Sequence, residues 1–98
     1  MNSETILHIL KAHESALRAQ GVAHAALFGS VARGGQTDSS DIDVMVDISP
    51  DVPVDLFAYI GIVQFIEDLF PFRVDVANRA ALKSFMRPSA ERDALYAF

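Results

Sequence analysis

Residues 29–43 read GSVARGGQTDSSDID, which joins a glycine-rich turn to two carboxylates that are one residue apart. The chain continues through Asp41–Ile48, in which apolar side chains recur at every second position. Successive side chains of a strand point to opposite faces, so this alternation predicts a strand. Asp41 and Asp43 are expected on one face of it, and the other face is expected to carry Ile42, Val44, Val46 and Ile48.

Two aspartates on one strand face repel each other unless a cation lies between them. Oxygen ligands without a neighbouring cysteine or histidine favour a hard ion, magnesium or manganese, over zinc. The alternative is a solvated strand face, because aspartate is disfavoured in strands and is found on half-exposed edges. Taken alone, Asp41 and Asp43 fit either interpretation, and the glycine-rich turn at a fixed distance before them favours the metal site.

The turn at Gly29 and Ser30 follows the apolar run Val22–Phe28, which is expected to be a strand. A chain that bends after a strand and enters a helix exposes backbone N–H groups that bind phosphate oxygens. Ser30 would add a hydroxyl donor, although an N-cap role for this serine is the alternative. The turn is not a Walker A loop, because Gly35 stands where that loop requires lysine.

Two further polar residues of this stretch are candidates for the same site. Arg33 follows Ser30 by about one helical turn and is within reach of a nucleotide held there, but an ion pair with a nearby aspartate explains it equally well. Ser40 directly precedes the aspartate pair and is expected to orient the chain through a hydrogen bond to backbone.

A third carboxylate is offered by Asp75 in the segment Phe72–Val76. Two-metal phosphoryl chemistry requires ligands from more than one strand and a base for the attacking hydroxyl. Alternation sends Asp75 to the polar face of its strand, so it lies beside the aspartate pair if the two strands are neighbours. The alternative is that Asp75 only forms an ion pair with Arg73 or Arg79.

The motifs Gly29-Ser30, Arg33-Gly34 and Ser40-Asp41-Ile42-Asp43 resemble the Gly-Ser and Asp-x-Asp signature of the polymerase-beta-like nucleotidyltransferase superfamily. Over about residues 3–98 the chain resembles the minimal nucleotidyltransferase (MNT) branch of that superfamily. The resemblance implies an α/β fold with a small mixed sheet flanked by helices. Members of this branch are commonly antitoxins of HEPN-domain ribonuclease toxins, and some transfer AMP from ATP to a tyrosine of the toxin.

The resemblance also implies a role for each candidate residue. Asp41, Asp43 and Asp75 would be catalytic and would bind two magnesium ions, or manganese, with Asp75 as the base for the acceptor hydroxyl. ATP would be the substrate, and its binding residues would be Gly29, Ser30, Arg33 and Ser40.

Composition and periodicity predict one domain over residues 1–98, with the element order α-β-α-β-α-β-α. Helices are expected over 3–20, with Ser3 as the N-cap, over 54–70 and from Arg87-Pro88 to the C-terminus. A short helical turn is expected over 30–33 and a third strand over 72–77. The net charge of −5 argues against direct nucleic-acid binding, which needs clustered lysine and arginine. No apolar run approaches a membrane span of ~18 residues, and a cytoplasmic location is expected.

Only 23 residues follow Asp75, so the acceptor is expected to come from another protein, in a hetero-oligomer with a HEPN-domain toxin. Phe57, Ile60 and Phe98 are apolar residues expected to be available for that contact. A different hypothesis is a non-catalytic antitoxin that neutralises its partner by occlusion. Transfer to a small molecule fits the motif but not the missing acceptor domain.

Overall fold

The computed structural model of the chain describes residues 2–29, 42–82 and 84–98. In this part of the chain the helices are α1 (Ser3–Ala12), α2 (Glu14–Ala19), α3 (Leu56–Glu67) and α4 (Arg87–Asp93). The strands are β1 (Val22–Phe28), β2 (Ile42–Ile48), β3 (Val74–Asn78) and β4 (Leu95–Tyr96), and a 3₁₀ turn spans Arg79–Ala81.

The four strands form one mixed sheet in the order β3-β2-β1-β4. β1 pairs antiparallel with β2 and with β4, whereas β2 and β3 are parallel. Parallel neighbours require a crossover, and α3 supplies it between the end of β2 and the start of β3. The expected small mixed sheet with helices is therefore confirmed.

The N-terminal helix differs from the expected single helix over 3–20. Asn2, rather than Ser3, caps it by accepting a hydrogen bond from the Thr5 N–H at 2.9 Å. The helix breaks at His13, whose backbone is not helical and whose N–H bonds to the Leu10 carbonyl. α2 then ends before Gly21, which has φ +106°, a left-handed conformation that glycine adopts without strain.

The C-terminal tail differs from the expected helix that continues to the end of the chain. Residues 95–96 were expected in a helix, but they form β4 and pair with Ala26 and Leu27 of β1. Strand pairing depends on a partner far away in the chain, so the local pattern of this tail could not reveal it. α3 is also shorter than the expected 54–70, and Asp55 fixes its start by accepting a hydrogen bond from the Ala58 N–H at 2.8 Å.

The main core lies on one face of the sheet. Ile42, Val44 and Val46 of β2 are buried there against Ile62 and Ile66 of α3 and against residues of α1 and α2. The opposite face has a smaller apolar cluster, in which α4 covers Ala26 and Met45 with Ala90. Within the described residues, no helix has the length and apolar character needed to cross a membrane.

Candidate active site

Asp43 and Asp75 lie directly opposite each other on the parallel strands β2 and β3. Each is the second residue of its strand. Val44, which follows Asp43, and Val74, which precedes Asp75, are buried and point into the main core. Alternation therefore places both carboxylates on the face opposite to that core. Neighbouring strands are about 4.8 Å apart, so the two side chains share one short stretch of surface. We call Asp43 and Asp75 the carboxylate row.

Gly29 directly follows β1 and lies against the Asp43 carboxylate. Its φ is +77°, in the left-handed region that residues with a side chain rarely adopt. A Cβ built on Gly29 would also collide with the carboxylate of Asp43. Phe28, the residue before it, is the direct partner of Asp43 in the β1–β2 pairing. Glycine is thus required here twice, by the backbone conformation and by the close approach of Asp43.

The alternative that Asp75 pairs with an arginine is partly realised. The Arg73 Nε lies 3.6 Å from the Asp75 Oδ1, and both side chains are more than half exposed. An ion pair between exposed groups contributes little to stability, typically 0 to about 1 kcal/mol. Arg73 and Asp75 are therefore near each other, and this contact is compatible with a second role for the carboxylate.

Arg79 has different partners from the ones considered in the sequence. Its guanidinium lies 3.3 Å from the Asp47 Oδ1 and 3.1 Å from the Glu91 Oε1. The hydrogen bond to Asp47 and the charges of Asp47 and Glu91 raise the pKa of Arg79 above its ordinary value. This bridge ties α4 to β2 on the sheet face that carries the carboxylate row.

The other predicted site residues, Asp41, Ser30, Arg33 and Ser40, lie outside the described residues. Among the residues that are described, no three His, Cys, Asp or Glu side chains are grouped as a metal site. Asp43 and Asp75 supply carboxylate oxygens, the donors that Mg²⁺ prefers. The three-carboxylate metal site therefore stays a prediction, because Asp41 lies outside the described residues. The positions of Asp43 and Asp75 on β2 and β3 are compatible with it.

An open cleft of about 260 Å³ lies next to Gly29, and sequence reasoning missed it. It is lined by Phe28, Gly29, Leu82, Phe85, Met86, Ser89, Ala90 and Asp93. Most of these residues come from the segment that leads into and through α4, far along the chain from the glycine-rich turn. The neighbouring apolar pair Phe85-Met86, directly before Arg87-Pro88, was the signal available in the sequence.

A second exposed surface lies on α3. Leu56, Phe57 and Ile60 are exposed there, with Phe57 at 82% of its full exposure. We call these three residues the α3 face. Phe98 was expected to belong to such a contact surface, but it packs against the main core and has the Arg18 guanidinium 5.0 Å from its ring centroid.

The described geometry can be compared with known proteins. The family model described as nucleotidyltransferase domain matches residues 6–97, nearly the whole chain. The chain belongs to the nucleotidyltransferase domain family. The resemblance inferred from the Gly-Ser and Asp-x-Asp motifs is thereby confirmed.

Individual relatives agree with this assignment. This chain is 35% identical over 94 residues to "Protein adenylyltransferase MntA" of Thermococcus cleftensis, and the match covers 95% of this chain and 93% of the relative. A solved structure assigned as a minimal nucleotidyltransferase superposes with a TM-score of 0.79 at 28% identity, covering 97% of this chain and 95% of that one. A toxin-antitoxin crystal structure with AMP-PNP has a TM-score of 0.69 at 20% identity, covering 90% and 72%. That last likeness concerns the fold.

Proposed function

We propose that this nucleotidyltransferase transfers AMP from ATP to a hydroxyl of a partner protein, a tyrosine of a HEPN-domain toxin, and thereby acts as its antitoxin. The observation that carries the proposal is the placement of Asp43 opposite Asp75, with Gly29 against the Asp43 carboxylate. The relative named protein adenylyltransferase and the toxin-antitoxin neighbour with AMP-PNP support it.

The roles of the residues are assigned from the sequence motif, together with the positions of Gly29, Asp43 and Asp75 in the sheet. Asp41, Asp43 and Asp75 would hold the divalent ions, and magnesium bound there supplies the positive charge that lets a triphosphate approach carboxylates. Gly29 and Ser30 would bind the phosphates through backbone N–H groups and a hydroxyl. Arg33 and Ser40 stay assigned to nucleotide binding as the motif predicts.

Asp75 is proposed as the base because its half-exposed side chain is open to an acceptor from outside. Its carboxylate takes the proton of the acceptor hydroxyl, and the hydroxyl oxygen forms a bond to the α-phosphorus of ATP. The bond from that phosphorus to the bridging oxygen breaks, and pyrophosphate leaves with the electron pair. The products are an AMP ester on the partner and pyrophosphate.

The test is transfer of label from α-labelled ATP to the co-purified toxin in the presence of magnesium. Asp43→Asn and Asp75→Asn remove charge at almost constant shape, so both variants should fold and neither should label the toxin. Asp68→Asn, at the end of α3, is the matched control and should label it normally. Labelling by Asp43→Asn at the wild-type rate would reject the proposed site.

One observation favours the second candidate, neutralisation by occlusion. The α3 face begins after the end of β2, whereas Asp43 and Asp75 lie near the starts of their strands on the opposite side of the sheet. A partner bound to the α3 face would therefore not need the carboxylates. Co-expression of the toxin with the Asp43→Asn/Asp75→Asn variant separates the candidates: poisoned cells support transfer, and full protection supports occlusion.

A further inference from the structure

Gly61 is an exposed glycine inside α3. Glycine lowers the stability of a helix relative to alanine, because it loses more backbone freedom on folding. Gly29 is required by its left-handed backbone and its close neighbour, but neither reason applies to Gly61. Its φ is not positive, and a Cβ built on it would meet no atom of the described residues within 4 Å. Within the described part of the chain, the fold therefore does not need a glycine at this position.

Gly61 lies on the side of α3 that faces away from the main core. A helix has 3.6 residues per turn, so residues three or four positions apart share a side. Phe57 is four residues before Gly61, Ile60 directly precedes it, and both are exposed. Ile62 and Ile66 are fully buried and attach the other side of the helix to the sheet. The missing side chain of Gly61 thus leaves a notch beside two large apolar side chains, which we call the Gly61 notch.

A notch in an exposed apolar surface suits a side chain of another protein. Exposed apolar patches mark interaction sites, and helices pack by inserting the side chains of one into the grooves of the other. The three side chains of the α3 face cannot alone supply the roughly 800 Å² per partner that a stable interface buries. A stable complex must therefore also cover the residues around them, and Gly61 is among these.

The charges around the α3 face favour a different protein over a second copy of this chain. No lysine, arginine or histidine occurs in residues 42–72. Asp55 lies directly before the helix, and Glu67 lies seven residues, or about two turns, after Ile60 on the same side. In a symmetric dimer a surface meets its own copy, so these exposed carboxylates would be brought together and repel each other. Glu67 is also at the negative end of the helix dipole, where it does not stabilise α3.

We infer that the Gly61 notch receives an apolar side chain of a partner protein, and that lysine or arginine residues flank that side chain to meet Asp55 and Glu67. The inference rests on the proposed function for the identity of the partner, the HEPN-domain toxin, and adds the chemistry of the surface that the toxin presents. Residues kept for binding and not for folding respond to substitution in a distinctive way. Their replacement should weaken the complex while the free chain stays as stable or becomes more stable.

Affinity for the toxin and resistance to urea, measured on the same variants, test the inference. Gly61→Ala should unfold at higher urea, because alanine favours the helix, and yet bind the toxin about tenfold more weakly. Gly61→Leu fills the notch and should weaken binding by on the order of 100-fold. Glu67→Lys suits the helix dipole, so it should not lower stability, but it should weaken binding about tenfold by charge reversal. Ala16→Leu, which adds a leucine at an exposed position of α2, is the control and should leave binding unchanged.

The outcomes separate this inference from the proposed function. If Gly61→Leu binds the toxin as tightly as the wild type, or Glu67→Lys binds it more tightly, the inference is overturned while AMP transfer stands. If the free wild-type protein dimerises in sedimentation and Gly61→Leu abolishes the dimer, a second copy fills the notch and the inference is also overturned. If the wild type binds the toxin but transfers no AMP, the proposed function fails and the losses in the variants still support the notch. If the wild type forms no complex with the toxin, both are rejected.

Discussion

The carboxylate row carries charged side chains, and the α3 face carries exposed apolar ones. The residues of the row come from distant parts of the chain, whereas those of the α3 face are neighbours in it. The row joins Asp43 and Asp75, which are 32 residues apart in the chain, and Gly29 from a third segment packs against the Asp43 carboxylate. The α3 face consists of residues within two turns of one helix. The row therefore exists only in the folded sheet, whereas the α3 face is present wherever the helix forms.

The carboxylate row and the α3 face should respond independently to substitutions. They lie on opposite sides of the sheet, because Ile62 and Ile66 attach α3 to the main core and the aspartates point away from it. Substitutions more than about 7 to 10 Å apart with no shared partners usually have additive effects. Nucleotide chemistry should thus depend on the row, and partner affinity on the α3 face.

Removal of magnesium should produce the largest difference between the two regions. Adjacent carboxylates repel a triphosphate, so ATP affinity should fall by on the order of 100-fold or more when a chelator removes the metal. The complex with the proposed toxin partner should persist, because the α3 face carries no metal ligands. Calorimetry for ATP and size-exclusion chromatography for the complex, each with magnesium and with chelator, check this. Equal ATP affinity in both buffers would contradict the metal site.

Polar substitution of the α3 face should produce the reciprocal result. Phe57→Ser with Ile60→Ser removes two exposed apolar side chains and should weaken toxin binding by about 2 to 4 kcal/mol, on the order of 100-fold. ATP affinity should not change. Phe85→Ala is the matched control, since it removes an exposed phenylalanine on the other side of the sheet and should leave toxin affinity within about threefold. Toxin binding that survives the double substitution would exclude the α3 face as the interface.

Two glycine substitutions should change stability in opposite directions. Gly29→Ala forces a side chain into a left-handed backbone and against the Asp43 carboxylate, so the free energy of unfolding should fall by about 1 to 3 kcal/mol. Gly61→Ala lies inside α3, where a Cβ meets no atom within 4 Å, and should raise it by about 0.5 to 1 kcal/mol. Urea unfolding of both variants measures the difference. A stable Gly29→Ala variant with normal ATP binding would contradict the close packing of Gly29 on Asp43.

The sequence predicted the carboxylate row better than the chain ends. Alternation placed Val44 and Val74 in the core, and this puts Asp43 and Asp75 on the opposite face once β2 and β3 are neighbours. That reasoning needs only the local pattern and one strand pairing. β4 was missed because its two residues become a strand only by pairing with β1.

Two other differences have equally physical causes. Asn2 and Ser3 are both good helix caps, and only the side-chain contact with the Thr5 N–H decides between them. The cleft was missed because Phe85 and Met86 approach Phe28 through the fold, and no spacing in the chain encodes that approach. Local patterns therefore predicted the faces of strands, and the contacts between distant segments required the structure.

Asp43 and Asp75 are proposed to act together as one site for AMP transfer. The direct test is the rate of transfer to the toxin by Asp43→Asn, by Asp75→Asn and by the double variant, with complex formation measured on the same samples. Residues that act as a unit are strongly non-additive. If the two carboxylates form one site, each single variant should lose nearly as much transfer as the double variant while every complex still forms. Independent losses that multiply in the double variant, or transfer that persists in it, would show that Asp43 and Asp75 do not form one site for AMP transfer.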